Sequence, residues 1–476
     1  MIRKTKIVCT LGPSTDNEEV LRQLIQNGMN VARINFSHQT HEQQQVRIDQ
    51  FKKVRNELGL PVALLADTKG PEIRLGTFKK PVVIEKGGTF TLSISDREGD
   101  ATGCKVSFAG LPNDVRRDTR ILIADGLIEL RADNVTETDI TCTVINGGTL
   151  SSNKGVNVPG IRLDMPYISS ADRADLRFAV QNDFDFVATS FTRSAEDVMA
   201  IRAELARLCC HDMKIIAKIE NAEGVSNIDE ILKVADGIMV ARGDLGVEVA
   251  LEEIPVIQKK LIKKAYLSGM PVITATQMLE SMVHNPRPTR AEATDVATAI
   301  FDGTSAIMLS GETAAGEFPV EALCTMSKIA VRTEYDIDYK TKFNRYSSEE
   351  ALNVTNAISH ATCAAAHDLS AACIITVTTS GGTAKKISKY RPAVPIIGCS
   401  PNAKSVRQLS LSWGVQSFLI DVKNNTDELF AHAIETAVNN NFAQDGDLLV
   451  ITAGVPLGMS GTTNMLRVHV VGDPTL

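Results

Sequence analysis

The chain has 476 residues, enough for about three domains at roughly 150 residues each. Hydrophobic residues make up 43% and charged residues 22%, an ordinary globular balance that excludes a disordered chain. Lysine and arginine total 50 against 57 acidic residues, a formal net charge of -7, and without a long basic run a nucleic-acid partner has no electrostatic footprint.

Short β-rich apolar runs alternate with helical patterns from the start. Lys6–Thr10 reads as a strand ended by Gly12-Pro13, and Asp16 or Asn17 caps a helix with Val20, Leu21, Leu24 and Ile25 on one face. Val31–Phe36 is a second strand, residues 42–58 a second helix and Val62–Ala66 a third strand, followed at once by Asp67-Thr68-Lys69-Gly70-Pro71-Glu72. Strands buried on both faces, each followed by a helix, predict a parallel α/β architecture. Residues 71–166 then turn rich in Thr, Val, Ile and Gly, with turn pairs at Gly87-Gly88, Asp125-Gly126 and Gly147-Gly148 and no helical periodicity. This predicts an inserted, barrel-like all-β lid domain.

The alternation resumes after Ser170, with strands at Phe186–Ser190, Lys214–Ile219, Gly237–Ala241, Pro271–Thr276 and Ala306–Leu309. With the first three these make eight strands, each one strand-plus-helix unit from the next except across the insertion. The fold expected is a (β/α)8 TIM barrel formed by residues 1–70 and 167–345. Residues 336–350 are polar and read as a linker. A C-terminal α/β domain over 346–476 follows, with strands at Ala372–Thr378, Ile396–Cys399, Val415–Ile420, Leu448–Thr452 and Arg467–Val471, helices at 382–390 and 427–441, and a short fifth strand closing an open sheet.

Nine scattered cysteines, odd in number and without a Cys-x-x-Cys pair, suggest neither disulfides nor a zinc site. The N-terminus turns polar too soon for a secretory core, and no run approaches the ~20 apolar residues of a membrane span. A soluble, cytoplasmic protein with reduced thiols is expected.

Barrel enzymes work at the carboxyl ends of their strands, where Asn35, Asp67, Ser190, Glu220, Asp244, Thr276 and Ser310 fall. Glu220 and Asp244, on adjacent strand ends, can hold one hard divalent cation, since magnesium takes few protein carboxylates and completes its shell with water and substrate oxygens; a pair of helix-capping acids is the plainer alternative. Gly243 and Asp244 open a short helix whose N–H groups would face an anion. Lys218 points the same way as Glu220, placed either to neutralise developing charge or to form a structural salt bridge. Arg33 shares a face with Asn35 and suits a phosphate. No Walker loop, dinucleotide fingerprint or nucleophilic triad is present, and His38 reads as a structural histidine.

Arg33-Ile34-Asn35-Phe36-Ser37-His38, Asp67 to Arg74, Asn153-Lys154-Gly155, Lys218-Ile219-Glu220-Asn221, Ala241 to Gly246, Thr274 to Met278 and Leu309 to Thr313 together resemble pyruvate kinase, in order and spacing, from Thr5 into the C-terminal domain. One departure is Gln39, where the family often has glycine. The resemblance implies phosphoryl transfer from phosphoenolpyruvate to ADP, giving pyruvate and ATP. Glu220 and Asp244 would hold magnesium (Mg2+) or manganese (Mn2+), and Lys218 would stabilise the transferring phosphoryl group and the enolate. Gly243, Asp244 and Thr276 would hold the substrate's carboxylate end, with Thr276 near the carbon to be protonated, and Arg33 would grip the phosphoryl group. Arg74 and Lys154 would reach the ADP phosphates, Lys154 from the closing lid.

Asn35, Ser37, Asp67 and Thr68 offer a mixed oxygen cage for a large monovalent ion. In this family a glutamate at the position of Glu72 accompanies potassium (K+) dependence, although it also reads as a solvated loop acid. Thr378-Thr379-Ser380-Gly381-Gly382-Thr383, ahead of a helix carrying Lys385 and Lys386, resembles the loop that holds a sugar-phosphate effector, with Thr378, Ser380 and Thr383 as its ligands; a plain capped turn is the alternative. The Gly454–Thr463 segment could fold over that effector. The likeness also implies a homotetramer. A metal-dependent aldolase or lyase on the same barrel would use the Glu–Asp pair but would not need Asn35, Ser37, Asp67 and Thr68 together, nor Lys154 in a lid. A non-catalytic metabolite sensor would not need every motif residue intact.

Overall fold

The computed structural model describes residues 2–346, 353–423, 425–456 and 463–473. Eight parallel strands close into a barrel: Lys6–Thr10 (β1), Val31–Asn35 (β2), Ala63–Asp67 (β3), Phe186–Thr189 (β4), Lys214–Ile219 (β5), Gly237–Ala241 (β6), Val272–Ala275 (β7) and Ala306–Leu309 (β8), neighbours in sequence order. Alternate residues explain the two-sided burial. Val8, Val31, Leu65, Phe186, Ile216, Met239, Ile273 and Met308 fill the barrel interior, while Ile7, Ile34, Leu64, Val187, Ile215, Ile238 and Ile307 pack outward against the helices. Asp67 lies within β3 rather than after it, and Thr276 just past β7.

Between β3 and β4 the chain forms a seven-stranded sheet, running from Ile73–Arg74 at one edge to Gly103–Lys105 at the other, and a two-stranded ribbon. Its own core gathers Phe90, Leu92, Ile121, Leu130, Ile140 and Val144. The sequence predicts no helix here; the structure has one short turn, Leu111–Asp114, because Pro112 sits in the first turn where its missing N–H costs nothing.

The C-terminal sheet contains Cys373–Val377 (β9), Ile396–Ser400 (β10), Val415–Leu419 (β11), Leu448–Ala453 (β12) and Met465–Val470 (β13), in the order β11-β10-β9-β12-β13. Four strands are parallel and β13 is an antiparallel edge on β12. The expected linker is a helix over Tyr339–Tyr346, with residues 347–350 outside the described ones. Its apolar side explains the helix: Tyr339 and Phe343, four residues apart, are both buried.

This sheet docks on the amino-terminal end of the barrel, away from the strand ends that carry the motifs. Leu411 joins the barrel's interior cluster from below. Arg407 Nε donates to the fully buried Asp185 at 2.8 Å, and Lys404 Nζ lies 2.9 Å from Asp183 and 3.0 Å from Asp212. Among the described residues no helix is long and apolar enough to cross a membrane.

Candidate active site

A cleft of about 890 Å3 lies between the carboxyl ends of the barrel strands and the inserted sheet. Arg33, Asn35, Ser37, Lys218, Glu220 and Asp244 line it from the barrel, Arg74 and Lys154 from the opposite side. Its floor is an ion-pair network. Lys218 Nζ lies 3.0 Å from Asp67 Oδ1 and 3.0 Å from Glu220 Oε1, and donates to Ser190 Oγ at 2.7 Å. Arg33 Nε donates to Asp67 Oδ2 at 2.6 Å and its Nη1 to Thr10 Oγ1 at 2.9 Å. Asp67 therefore serves two cations that belong to different strands.

Burial alone would raise the Asp67 carboxyl, yet Arg33 and Lys218 outweigh it and hold it below the usual carboxylate range. Burial alone would discharge Lys218; Asp67 and Glu220 overcome that and raise its pKa. Glu220 goes the other way. Burial pushes its carboxyl up to about 8 against the pull of Lys218, with Asp244 adding to the rise.

Glu220 is also geometrically prepared. Its Oε2 accepts the N–H of Phe191 at 2.6 Å, and Phe191 adopts φ 54° to present that N–H, a left-handed backbone uncommon for a bulky residue and typical of functional sites. Its Oε1 is buried without a hydrogen bond, because Lys218 approaches it with poor donor geometry. An orphaned, desolvated carboxylate oxygen beside a second carboxylate suits a divalent cation. Among the described residues no group of three or more His, Cys, Asp or Glu side chains is placed to hold a metal, so water and substrate oxygens would complete the shell of one held by Glu220 and Asp244.

Thr276 and Gly243 meet beside this floor, where Gly243 N–H donates to Thr276 Oγ1 at 2.7 Å. Thr276 has φ 71°, a strained conformation for a β-branched residue. Arg242 holds it there, donating through Nη2 to Thr276 O at 2.7 Å while its Nη1 pairs with Asp295 at 2.6 Å. Arg242 falls within the Ala241–Gly246 stretch, but nothing in the sequence shows where its fork points. The contribution of Phe191 is a main-chain N–H, invisible to any motif.

Register places Asn35 opposite Asp67 across β2 and β3, bringing the four residues of the oxygen cage to adjacent strand ends. Asn35 Oδ1 accepts the Ser37 N–H at 3.0 Å, and Thr68 O accepts Ser190 Oγ at 2.7 Å. His38 is exposed on the cleft rim, so the structural histidine expected there is not found; the chain turns outward after Ser37. Gln39 explains the family's glycine, since it sits at φ 71° with its side chain held by Arg47 at 2.6 Å.

Pairing of Gly155 with Arg74 brings Arg74 beside Lys154. Arg74 Nη1 donates to Asn153 O at 2.8 Å and its Nε to Glu72 at 2.7 Å, so Glu72 is an ion-pair partner rather than a solvated acid. In the C-terminal domain Thr378, Ser380 and Thr383 flank the turn from β9 into the helix Gly382–Lys389, with Gly381 at φ 80°. Thr383 Oγ1 lies 2.9 Å from Thr463 Oγ1, which brings one end of the Gly454–Thr463 segment to the loop; residues 457–462 lie outside the described ones. Lys385 does not serve this loop. It lines a small cavity against the barrel with Met270, Ser305, Arg391 and Trp413, where burial and Lys214 lower its pKa to about 8. Helical periodicity turns it away from the face that Thr383 occupies.

Comparison with known proteins agrees over the whole length. The family model described as pyruvate kinase, barrel domain, matches residues 2–323, and that of the pyruvate kinase alpha/beta domain matches residues 356–469. The chain is 48% identical to a pyruvate kinase of Clostridium acetobutylicum, covering 99% of this chain and 100% of that one. It is also 48% identical to a pyruvate kinase of Geobacillus stearothermophilus, covering 99% of this chain and 81% of that one. A crystal structure of a pyruvate kinase from Cryptosporidium parvum superposes with a TM-score of 0.93 at 38% identity, covering 98% of this chain and 96% of that one. With family models spanning both the barrel and the C-terminal segment and relatives matched end to end, the chain belongs to the pyruvate kinase family.

Proposed function

We infer that the chain transfers the phosphoryl group of phosphoenolpyruvate to ADP, giving pyruvate and ATP. The observation that carries this reading is the arrangement of one cleft: Lys218, Arg33 and a Glu220–Asp244 pair on its floor, with Arg74 and Lys154 facing them from the inserted sheet. Phosphoryl transfer needs positioning and charge neutralisation more than covalent help, and these residues supply both.

In this reading Arg33 grips the phosphoryl group with its free edge while Asp67 fixes the guanidinium. Lys218, held charged by Asp67 and Glu220, faces the oxygens on which negative charge develops. Gly243, Asp244 and Thr276 hold the carboxylate end, and Thr276, kept in place by Arg242, stands near the carbon that takes up a proton. Arg74 and Lys154 bind the ADP phosphates, and closure of the inserted domain excludes water. A magnesium or manganese ion held by Glu220 and Asp244 would neutralise substrate oxygens during transfer. A potassium ion would sit among Asn35, Ser37, Asp67 and Thr68.

The same reading divides the chain into a barrel of residues 1–70 and 167–345, a lid of 71–166 and a regulatory domain of 346–476. It makes the enzyme a cytoplasmic homotetramer and assigns a sugar-phosphate effector to Thr378, Ser380 and Thr383. The aldolase or lyase alternative and the metabolite sensor are not favoured, since the relatives matched over the full chain are pyruvate kinases. A coupled assay for ADP-dependent pyruvate formation, run with and without potassium and magnesium, tests it: activity should require both ions, and full activity without them would refute the ion sites.

A further inference from the structure

The loop after β4, Ser190–Arg193, touches the catalytic floor and both crossings between barrel and inserted sheet. On the floor, Ser190 Oγ accepts from Lys218 Nζ at 2.7 Å and donates to Thr68 O at 2.7 Å, and Phe191 N–H holds Glu220. At the outgoing crossing Gly70, at φ 71°, lies so close that an added Cβ would sit 2.9 Å from Ser190 O and 3.2 Å from the Phe191 ring. That approach excludes any side chain there.

At the returning crossing the contact is made by Arg193. Its Nη1 donates to Leu163 O at 3.2 Å and its Nη2 to Met165 O at 3.4 Å. Asp197 fixes the other edge of the fork, 3.0 Å from Nε and 3.1 Å from Nη2. The guanidinium also stands 5.7 Å from the Tyr167 ring centre, and the Tyr167 hydroxyl donates to Ser190 O at 3.1 Å. Arg193 is thus clamped to helix and loop on one edge and to the returning hinge on the other. A hydrated lysine could not bridge two carbonyls and a carboxylate in this planar way.

We propose that Arg193 is a positioning residue that couples the placement of the inserted domain over the cleft to the placement of Lys218 and Glu220. Any shift of residues 163–165 pulls on the guanidinium, and through the four-residue loop on Ser190 and Phe191, which orient the lysine and the carboxylate. Closure over the nucleotide therefore sets the floor for the enol substrate. Coupling of this kind is reciprocal: occupancy of the floor must favour nucleotide binding by the same factor. The proposal rests on the reading that ADP is held from the inserted domain and phosphoenolpyruvate on the floor, and deepens it. Neither Arg193 nor Asp197 touches reacting atoms in this scheme.

The test uses the full-length chain and its Arg193→Met, Arg193→Lys and Asp197→Asn variants. ADP affinity is measured calorimetrically with magnesium, with and without oxalate as an unreactive enolate mimic, and oxalate affinity with and without ADP. In the parent each ligand should strengthen the other by the same factor, roughly 5-fold or more. In Arg193→Met and Asp197→Asn each ligand alone should bind as in the parent while the factor falls toward one; Arg193→Lys should fall between. In turnover kcat should drop, the KM of each substrate at saturating concentration of the other should rise by about the lost factor, and inorganic phosphate released per ATP formed should rise as the cleft leaks water. A parent that makes ATP, with variants that keep the full factor, overturns the coupling alone. Variants that lose the separate affinities together with the factor overturn it as well, since the role is then only structural. A parent that makes no ATP overturns the underlying reading and the proposal with it.

Discussion

Replacing Asp67 by Asn removes one negative charge from between two buried cations and changes almost nothing in volume. Asp67 is 1% exposed and its partners Arg33 and Lys218 are 10% exposed, so solvent does little to screen the loss. At an effective dielectric of about 20, each contact is worth about 6 kcal/mol before desolvation. Breaking a buried pair by removing one partner costs about 3–5 kcal/mol net, and Asp67→Asn should fall in that range. The sign of the pH dependence follows from the same geometry. The folded-state carboxyl lies below its ordinary 3.8, so its contribution is complete above that value and is lost as pH falls through the folded-state pKa. The gap between parent and variant should therefore be full at pH 7 and close below about pH 4. Urea unfolding of the barrel, followed by far-ultraviolet circular dichroism in potassium-free buffer, reads this directly, because without potassium no lost cation ligand can contribute. A variant within about 1 kcal/mol of the parent at pH 7 would refute the counter-ion role.

Glu220→Gln and Asp244→Asn should each abolish turnover while leaving the circular dichroism spectrum intact; near-normal turnover at saturating magnesium in both would remove the divalent site from these residues. Arg407→Met strands the fully buried Asp185, whose carboxyl burial already raises against the opposing pull of Arg407. Because a neutral Asp185 needs no counter-ion, the variant's deficit should be small near pH 4 and grow toward pH 7, read from the fluorescence of Trp413 at the docking interface. A deficit independent of pH would mean that Arg407 acts by packing. Alanine at Thr378, Ser380 and Thr383 together should remove activation by a sugar phosphate; unchanged activation would place the effector elsewhere.

The barrel was legible because its signals are local and repeated. Runs such as Lys6–Thr10, Lys214–Ile219, Gly237–Ala241 and Ala306–Leu309 are strands over the same residues read from the sequence, since buried parallel strands are short, apolar and evenly spaced. The motif residues also fell where strand ends converge. What the sequence could not show is what each side chain holds. Asp67 was read as an oxygen ligand for an ion, and its pairing with Arg33 and Lys218 depends on registers between β2, β3, β4 and β5. The helix Tyr339–Tyr346 hid in a polar stretch, where Tyr339 and Phe343 are the buried anchors among its described side chains. The sequence places Lys385 on the helix after the effector loop without showing which way it points, and helical periodicity turns it to the cavity against the barrel. Strained residues such as Phe191 and Thr276 carry no compositional mark at all, since their conformation is imposed by Glu220, Gly243 and Arg242.

The measurement closest to the central claim is a 31P nuclear magnetic resonance time course of the purified chain with phosphoenolpyruvate, ADP, magnesium and potassium. The phosphoenolpyruvate resonance should fall as the γ-phosphate resonance of ATP rises, one for one, with little inorganic phosphate. Loss of phosphoenolpyruvate to inorganic phosphate without ATP, or no change in either resonance, would contradict the account.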